Sequence, residues 1–185
     1  MGLDMYLEKR TYVQRWDHHS EDKKFEVTVK RGGKPYRPIK MDRVSYVIEE
    51  VAYWRKANAI HRWFVENCQG GVDECQKSYV TVEQLTELRD LCVNVLNSLE
   101  TVDGDVDVGT SYHADGRVEH HTRPGKVVAQ KGIADRELPA QSGFFFGSTN
   151  YDEYYVADLQ ETVEMLTKIL EEDNTYGEFY YQSSW

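Results

Sequence analysis

Residues 53–69 read Tyr-Trp-Arg-Lys-Ala-Asn-Ala-Ile-His-Arg-Trp-Phe-Val-Glu-Asn-Cys-Gln. Tyr53, Ala57, Ile60, Phe64 and Cys68 recur at steps of three and four, which predicts one apolar stripe on a helix. The helix is expected to start near Glu49 and run to about Asn67. Gly70-Gly71 then ends it, as residues tolerant of left-handed backbone do. Trp54, Asn58 and His61 fall on the neighbouring face, with Arg55 and Arg62 further round. Trp63 and Lys56 fall on the opposite flank.

Upstream, the period changes from helical to two. Leu3, Met5 and Leu7 alternate with Asp4, Tyr6 and Glu8, the pattern of a half-buried strand. Phe25, Val27 and Val29 alternate again before the Gly32-Gly33 turn, and Pro35 and Pro38 mark the returning strand as an edge. Val44, Tyr46 and Ile48 add a short strand before the helix.

Downstream, Thr81 with Gln84 forms a capping box, and Val80 with Leu85 a hydrophobic staple. Leu85, Leu88, Cys92, Val95 and Leu99 form the stripe of this second helix, which ends near Glu100. Asp115-Gly116 predicts a hairpin turn between strands near 109–113 and 117–122. Residues 123–142 read as a long connection. Gly143–Gly147 reads as a short apolar strand. Asn150 is the expected cap of a third helix carrying Tyr155, Leu159, Val163, Leu166 and Leu170. A final strand holds Phe179, Tyr181 and Trp185. Strands and helices mix without a repeating strand–helix unit, so the fold class is α+β: a mainly antiparallel sheet with three principal helices. The 185 residues are expected to form one domain, with 101–142 a variable hairpin and connection inside it.

Net charge is −10, but residues 1–70 carry 14 Lys and Arg against 10 Asp and Glu. Residues 151–185 carry 1 against 9. This asymmetry places an anion-facing surface in the first half, and it argues against duplex nucleic acid as a partner, which needs a broad basic footprint. No apolar run is long enough to cross a membrane, so no membrane partner is expected. The start has neither the basic opening nor the apolar stretch of a signal peptide. The expected location is the cytoplasm, with Cys68, Cys75 and Cys92 as reduced thiols.

Few motifs of known chemistry survive inspection. Asp103, Asp105 and Asp107 open like a calcium loop, but Val108 stands where Gly is needed and Ala114 where Glu is needed. His18-His19 and His120-His121 are tandem pairs whose rings point opposite ways on a strand, so they chelate poorly. No metal and no cofactor is expected, and no nucleophile motif is present. The candidate binding set is therefore Trp54, Arg55, Asn58, His61 and Arg62, with Ser148 and Thr149 at the start of the third helix. A ring to stack on, an amide, an imidazole and two guanidiniums suit a small anionic, nucleotide-like ligand. Two other readings stand beside it. One is an enzyme acting on such a nucleotide with His61 as acid or base. The other is an acidic interaction module, carried by Glu161, Glu164 and Glu171, that inhibits a nucleic-acid enzyme. A homo-oligomer joined through the Trp63 flank is a further expectation.

Met-Gly-Leu-Asp-Met-Tyr-Leu (1–7), the block at 53–65 and Gly-Phe-Phe-Phe-Gly-Ser-Thr-Asn-Tyr-Asp-Glu-Tyr-Tyr (143–155) resemble a family of small uncharacterised proteins encoded by bacteriophages and bacteria. The likeness covers the N-terminal part, the first two helices and the last third; residues 103–125 are less typical of it. It implies a cytoplasmic accessory protein of phage type, in the host cytoplasm, and brings no catalytic residues. In that setting a nucleotide binder would sequester an immune signalling nucleotide.

Overall fold

The computed structural model describes residues 2–143 and 145–185. Its strands are β1 (Asp4–Tyr12), β2 (Lys30–Arg31), β3 (Lys34–Pro35), β4 (Tyr46–Arg55), β5 (Ser78–Val80), β6 (Thr101–Tyr112), β7 (Val118–Val128) and β8 (Gly177–Ser184). Its helices are α1 (Asn58–Cys68), α2 (Val82–Ser98), the short α3 (Gly132–Glu137) and α4 (Glu153–Glu171). The architecture is α+β, built on an antiparallel sheet ordered β4-β1-β8-β5.

The alternation in the first strand sets the sheet's two faces. Met5 lies opposite Trp54 and Ser183, and Leu7 opposite Ala52 and Tyr181. All six are buried, as period-two geometry demands of one face. With Phe179 and Val80, all but Ser183 join Ile60 and Phe64 of α1, Leu85 and Leu88 of α2, and Leu159 and Leu166 of α4 in one continuous core. At ~25 cal/mol per Å² of apolar surface, burying each such aliphatic side chain contributes about 1.5–3 kcal/mol. The capping box at Thr81 forms in both directions. Cys92 is buried, and all three cysteines are free.

The structure moves several boundaries. Residues 49–55, expected in the first helix, continue β4, and α1 begins at Asn58. The cause is a bulge: Leu7 faces Ala52 but Glu8 faces Glu50, leaving Val51 as an extra residue. The bulge sets Val51 and Ala52 side by side and breaks the alternation, so the strand imitates a helical repeat. Tyr53, expected in the core, is therefore exposed on the outer face, while Trp54 is buried. Trp63 is also buried against Phe64, which removes the expected exposed flank.

Further along, β6 and β7 form a hairpin much longer than expected, paired from Thr101–Val128 out to Tyr112–Val118. Residues 123–142 are thus a strand end and α3 as much as a connection. No strand forms at the described residues of Gly143–Gly147; Phe144 lies outside the described residues. The cap of α4 is Asp152, not Asn150: its Oδ1 accepts from the N–H groups of Tyr154 (2.9 Å) and Tyr155 (3.4 Å). No helix among the described residues is long and apolar enough to cross a membrane.

Candidate functional site

Where β4 turns into α1, Lys56 adopts φ 62°, a left-handed conformation rare for a residue with a Cβ. The backbone around it is held by two bonds. The Lys56 N–H donates to Leu3 O (2.8 Å), and Lys56 O accepts from the Asn58 N–H (2.8 Å). The Lys56 stem packs on Gly147, itself at φ 87°, where an added Cβ would lie 3.3 Å from Lys56 Cβ. Only glycine meets both demands there without strain.

Asn58, the first residue of α1, is buried and clamps the loop before α4. Its Nδ2 donates to Phe146 O (3.1 Å) and Ser148 O (2.8 Å), and its Oδ1 accepts from the Gln141 N–H (3.0 Å). Tyr155 adds a hydroxyl bond to Leu138 O (2.9 Å), and Tyr151 accepts from the Ala140 N–H (3.1 Å). Five backbone groups of this loop are thereby satisfied by the side chains of Asn58, Tyr151 and Tyr155. The base of the long hairpin docks alongside: Val128 N–H donates to Tyr151 O (2.9 Å), and Arg123 pairs with Glu153.

These elements border an open-mouthed cavity of about 770 Å³, within the size range of small-molecule sites. The β4–α1 turn supplies Arg55, Lys56 and Asn58; the bulge of β6 supplies Asp107 through Thr110. The loop gives Phe145, Gly147 and Ser148, and the start of α4 gives Asp152, Tyr154, Tyr155 and Asp158. Arg55 leans on Asp4 (3.4 Å), whereas Lys56 forms no ion pair among the described residues. Asp152 is buried, and its Oδ2 has no hydrogen-bond partner among the described residues. A buried carboxylate oxygen left so is costly and marks a place where a donor is wanted. Burial pushes Asp158 from 3.8 up to about 7, helped by the charges of Glu161 and Asp152.

A group whose folded pKa lies above its unfolded value binds more protons when folded. Its contribution to stability is full below the unfolded value and is lost as pH rises through the folded one. Asp158 should therefore weaken the fold between about pH 4 and pH 7 by at most roughly 4 kcal/mol, at ~1.4 kcal/mol per unit. Asp158→Asn should remove that slope and raise the melting temperature at pH 8. A melting temperature at pH 8 equal to or below that of the parent would contradict this account.

Of the residues expected from sequence to form a site, Arg55, Asn58 and Ser148 line the cavity. Thr149 is exposed beside it and does not. Arg62 pairs with Glu66 (2.7 Å) on the outside of α1. Trp54 is buried, with Nε1–H donating to Thr162 Oγ1 (2.9 Å), which in turn donates to Asp158 O (2.7 Å). The single helical face meant to gather Trp54, Asn58 and His61 does not form, because Trp54 belongs to the strand.

His61 is wholly buried away from the cavity lining. Its Nε2 sits 2.9 Å from Asp73 Oδ2 and its Nδ1 2.8 Å from the Tyr181 hydroxyl. A carboxylate only accepts, so Nε2 carries the proton and Nδ1 takes the tyrosine hydrogen. Burial lowers the His61 pKa, against the pull of Asp73, so the ring is neutral at pH 7. Both nitrogens are committed to structure.

Sequence reasoning missed Lys56, Asp107, Asp152 and Asp158. Asp107 stood in the acidic run that failed as a calcium loop. Asp152 stood two residues beyond the expected cap. Among the described residues, no three His, Cys, Asp or Glu side chains are grouped to hold a metal ion. Comparison of the chain with protein-family models, curated proteins and solved structures finds no match.

Proposed function

We propose that this chain binds a small nucleotide-like ligand in the cavity between the β4–α1 turn and the start of α4. One observation carries the reading. The Lys56 ammonium, with no ion pair among the described residues, shares the cavity with Asp107, Asp152 and Asp158. Such a space suits a molecule anionic at one end and rich in N–H or O–H donors at the other. A phosphate takes Lys56, the cation of the cavity not already paired among the described residues. Ring amino groups or sugar hydroxyls take the carboxylates. Tyr154, about half exposed at the rim, offers a ring for stacking. Binding is favoured over turnover, because His61 is sealed in the core. A binder of this kind would sequester the nucleotide.

Titration calorimetry against mononucleotides, cyclic nucleotides and ADP-ribose-type compounds tests this. Lys56→Asn removes the ammonium while keeping a residue that tolerates the left-handed region. It should weaken binding about 10- to 100-fold, the worth of one charge-assisted contact. Failure of every compound to bind, or equal affinity in the variant, sinks the reading. A ligand recovered chemically altered after denaturing the protein would move it to the enzyme class.

A further inference from the structure

None of the described residues on the outer face of the central sheet is buried, and the face is unusually aromatic. Tyr6 lies opposite Tyr53, their ring centroids 5.4 Å apart, and Tyr12 opposite Tyr46 at 5.1 Å. Tyr79 lies opposite Tyr180 at 5.8 Å. Tyr46, Tyr53 and Tyr79 are 48%, 41% and 55% exposed, and Ile48 between them 54%. Isolated exposed tyrosines need no explanation, but a patch crossing four paired strands does.

The charges on this face are almost all matched within it. Asp4 takes the Tyr53 hydroxyl and Arg55. Glu8 takes both Arg10 (3.2 Å) and Lys77 (2.7 Å), and the Arg10 guanidinium lies 4.4 Å over the Tyr180 ring. Glu178 accepts from the Tyr180 hydroxyl (3.1 Å). Counting Glu50, four carboxylates meet three cations, so the face is nearly neutral in a chain of net charge −10. Pairing of this kind leaves no cation for a phosphate backbone, which a single-stranded nucleic acid would demand. It also lowers the cost of removing the face from water.

We infer that this face joins two copies of the chain, sheet against sheet about a two-fold axis. Outside this face, the basic stretch 13–45 and the acidic α4 would each meet its own like charge across a two-fold axis and repel. This neutral face is where two copies can meet without a charge mismatch. A two-fold contact sets the patch against itself, tyrosine on tyrosine, and tyrosine is an interface residue because its ring buries area while its hydroxyl stays bonded. At ~4.8 Å per strand and ~3.3 Å per residue, the thirty residues of the four strands present on the order of 480 Å² in projection. That is a little over half of the roughly 800 Å² per partner of a standard-sized pair, the scale of a weak, reversible contact.

Sedimentation equilibrium of the full chain over a wide concentration range tests the inference. The parent protein should approach twice the mass of one chain. The double variant Tyr46→Glu, Tyr79→Glu should dissociate at least roughly a hundredfold more readily. Circular dichroism should show the variant folded, since both side chains are exposed. Its nucleotide affinity should match the parent's, which separates this inference from the cavity reading. A parent that stays a single chain throughout, or a variant that pairs as tightly, overturns it. Binding of single-stranded oligothymidylate that the double variant loses would give the face to nucleic acid and overturn it equally.

Discussion

Trp54→Ala should lower the free energy of unfolding by about 3–5 kcal/mol, the usual cost of deleting a large buried aromatic. The indole is only 3% exposed and packs against Phe64 at a centroid distance of 5.8 Å. Its loss leaves a void between β4 and α4 and takes the N–H from Thr162 Oγ1. Thr162 keeps its own bond to Asp158 O, so the orphaned acceptor adds little. Urea unfolding followed by circular dichroism measures the change, and a loss below about 1 kcal/mol would mean that the core closes over the gap. A weak-binding Trp54→Ala protein would report damage to the scaffold and say nothing about recognition. Lys56→Asn is the cleaner probe of the cavity.

The second large effect is expected at Asn58. Its amide satisfies two carbonyls and one N–H of the loop before α4. Asn58→Ala removes all three bonds at once and should cost about 2–4 kcal/mol, since buried backbone groups without partners lose ~1–3 kcal/mol each and those near the surface recover water. Asn58→Asp should be no better, because a carboxylate would face the carbonyls of Phe146 and Ser148. Hydrogen exchange gives the local reading: the Gln141 amide should lose protection far more than amides in α2. Ligand affinity should fall with it, although Lys56 and Asp152 remain. Unchanged exchange at Gln141 would show that the loop holds its shape by other means.

Elements with an uninterrupted pattern were readable from the chain. β1 alternates cleanly, and α2 opens on a reciprocal capping box and keeps its stripe to the end. In α4 the stripe was found with a small rotation: Thr162 and Ile169 are buried where Val163 and Leu170 were expected. β4 was hidden because one extra residue at Val51 erases a period of two, so that 49–67 scans as one helix. A bulge has no composition of its own, so only pairing with β1 reveals it.

The site was legible in a different sense. Arg55 and Asn58 were named from one polar helix face and Ser148 from the start of the third helix, yet the cavity gathers them for another reason. Lys56 turns the chain with a left-handed residue, and Asn58 reaches across more than eighty positions to hold a loop. Asp107 and Asp158 arrive from a hairpin bulge and the second turn of a helix. No local spacing links such residues. His61 stood out because imidazoles suit catalysis, but a histidine between a tyrosine and a carboxylate serves a core equally well.

The strand order carries a consequence for how the protein is made. β1 and β8 are neighbours at the middle of the sheet, with Asp4 opposite Ser184. During synthesis the opening strand emerges early, and its centre partner comes only after some 170 further residues. Until 177–184 leave the ribosome, β1 can pair with β4 alone, and the inner side chains Met5 and Leu7 lack the Ser183 and Tyr181 they will face. Contacts this distant in sequence make folding slow and leave a nascent two-stranded edge open to misassembly.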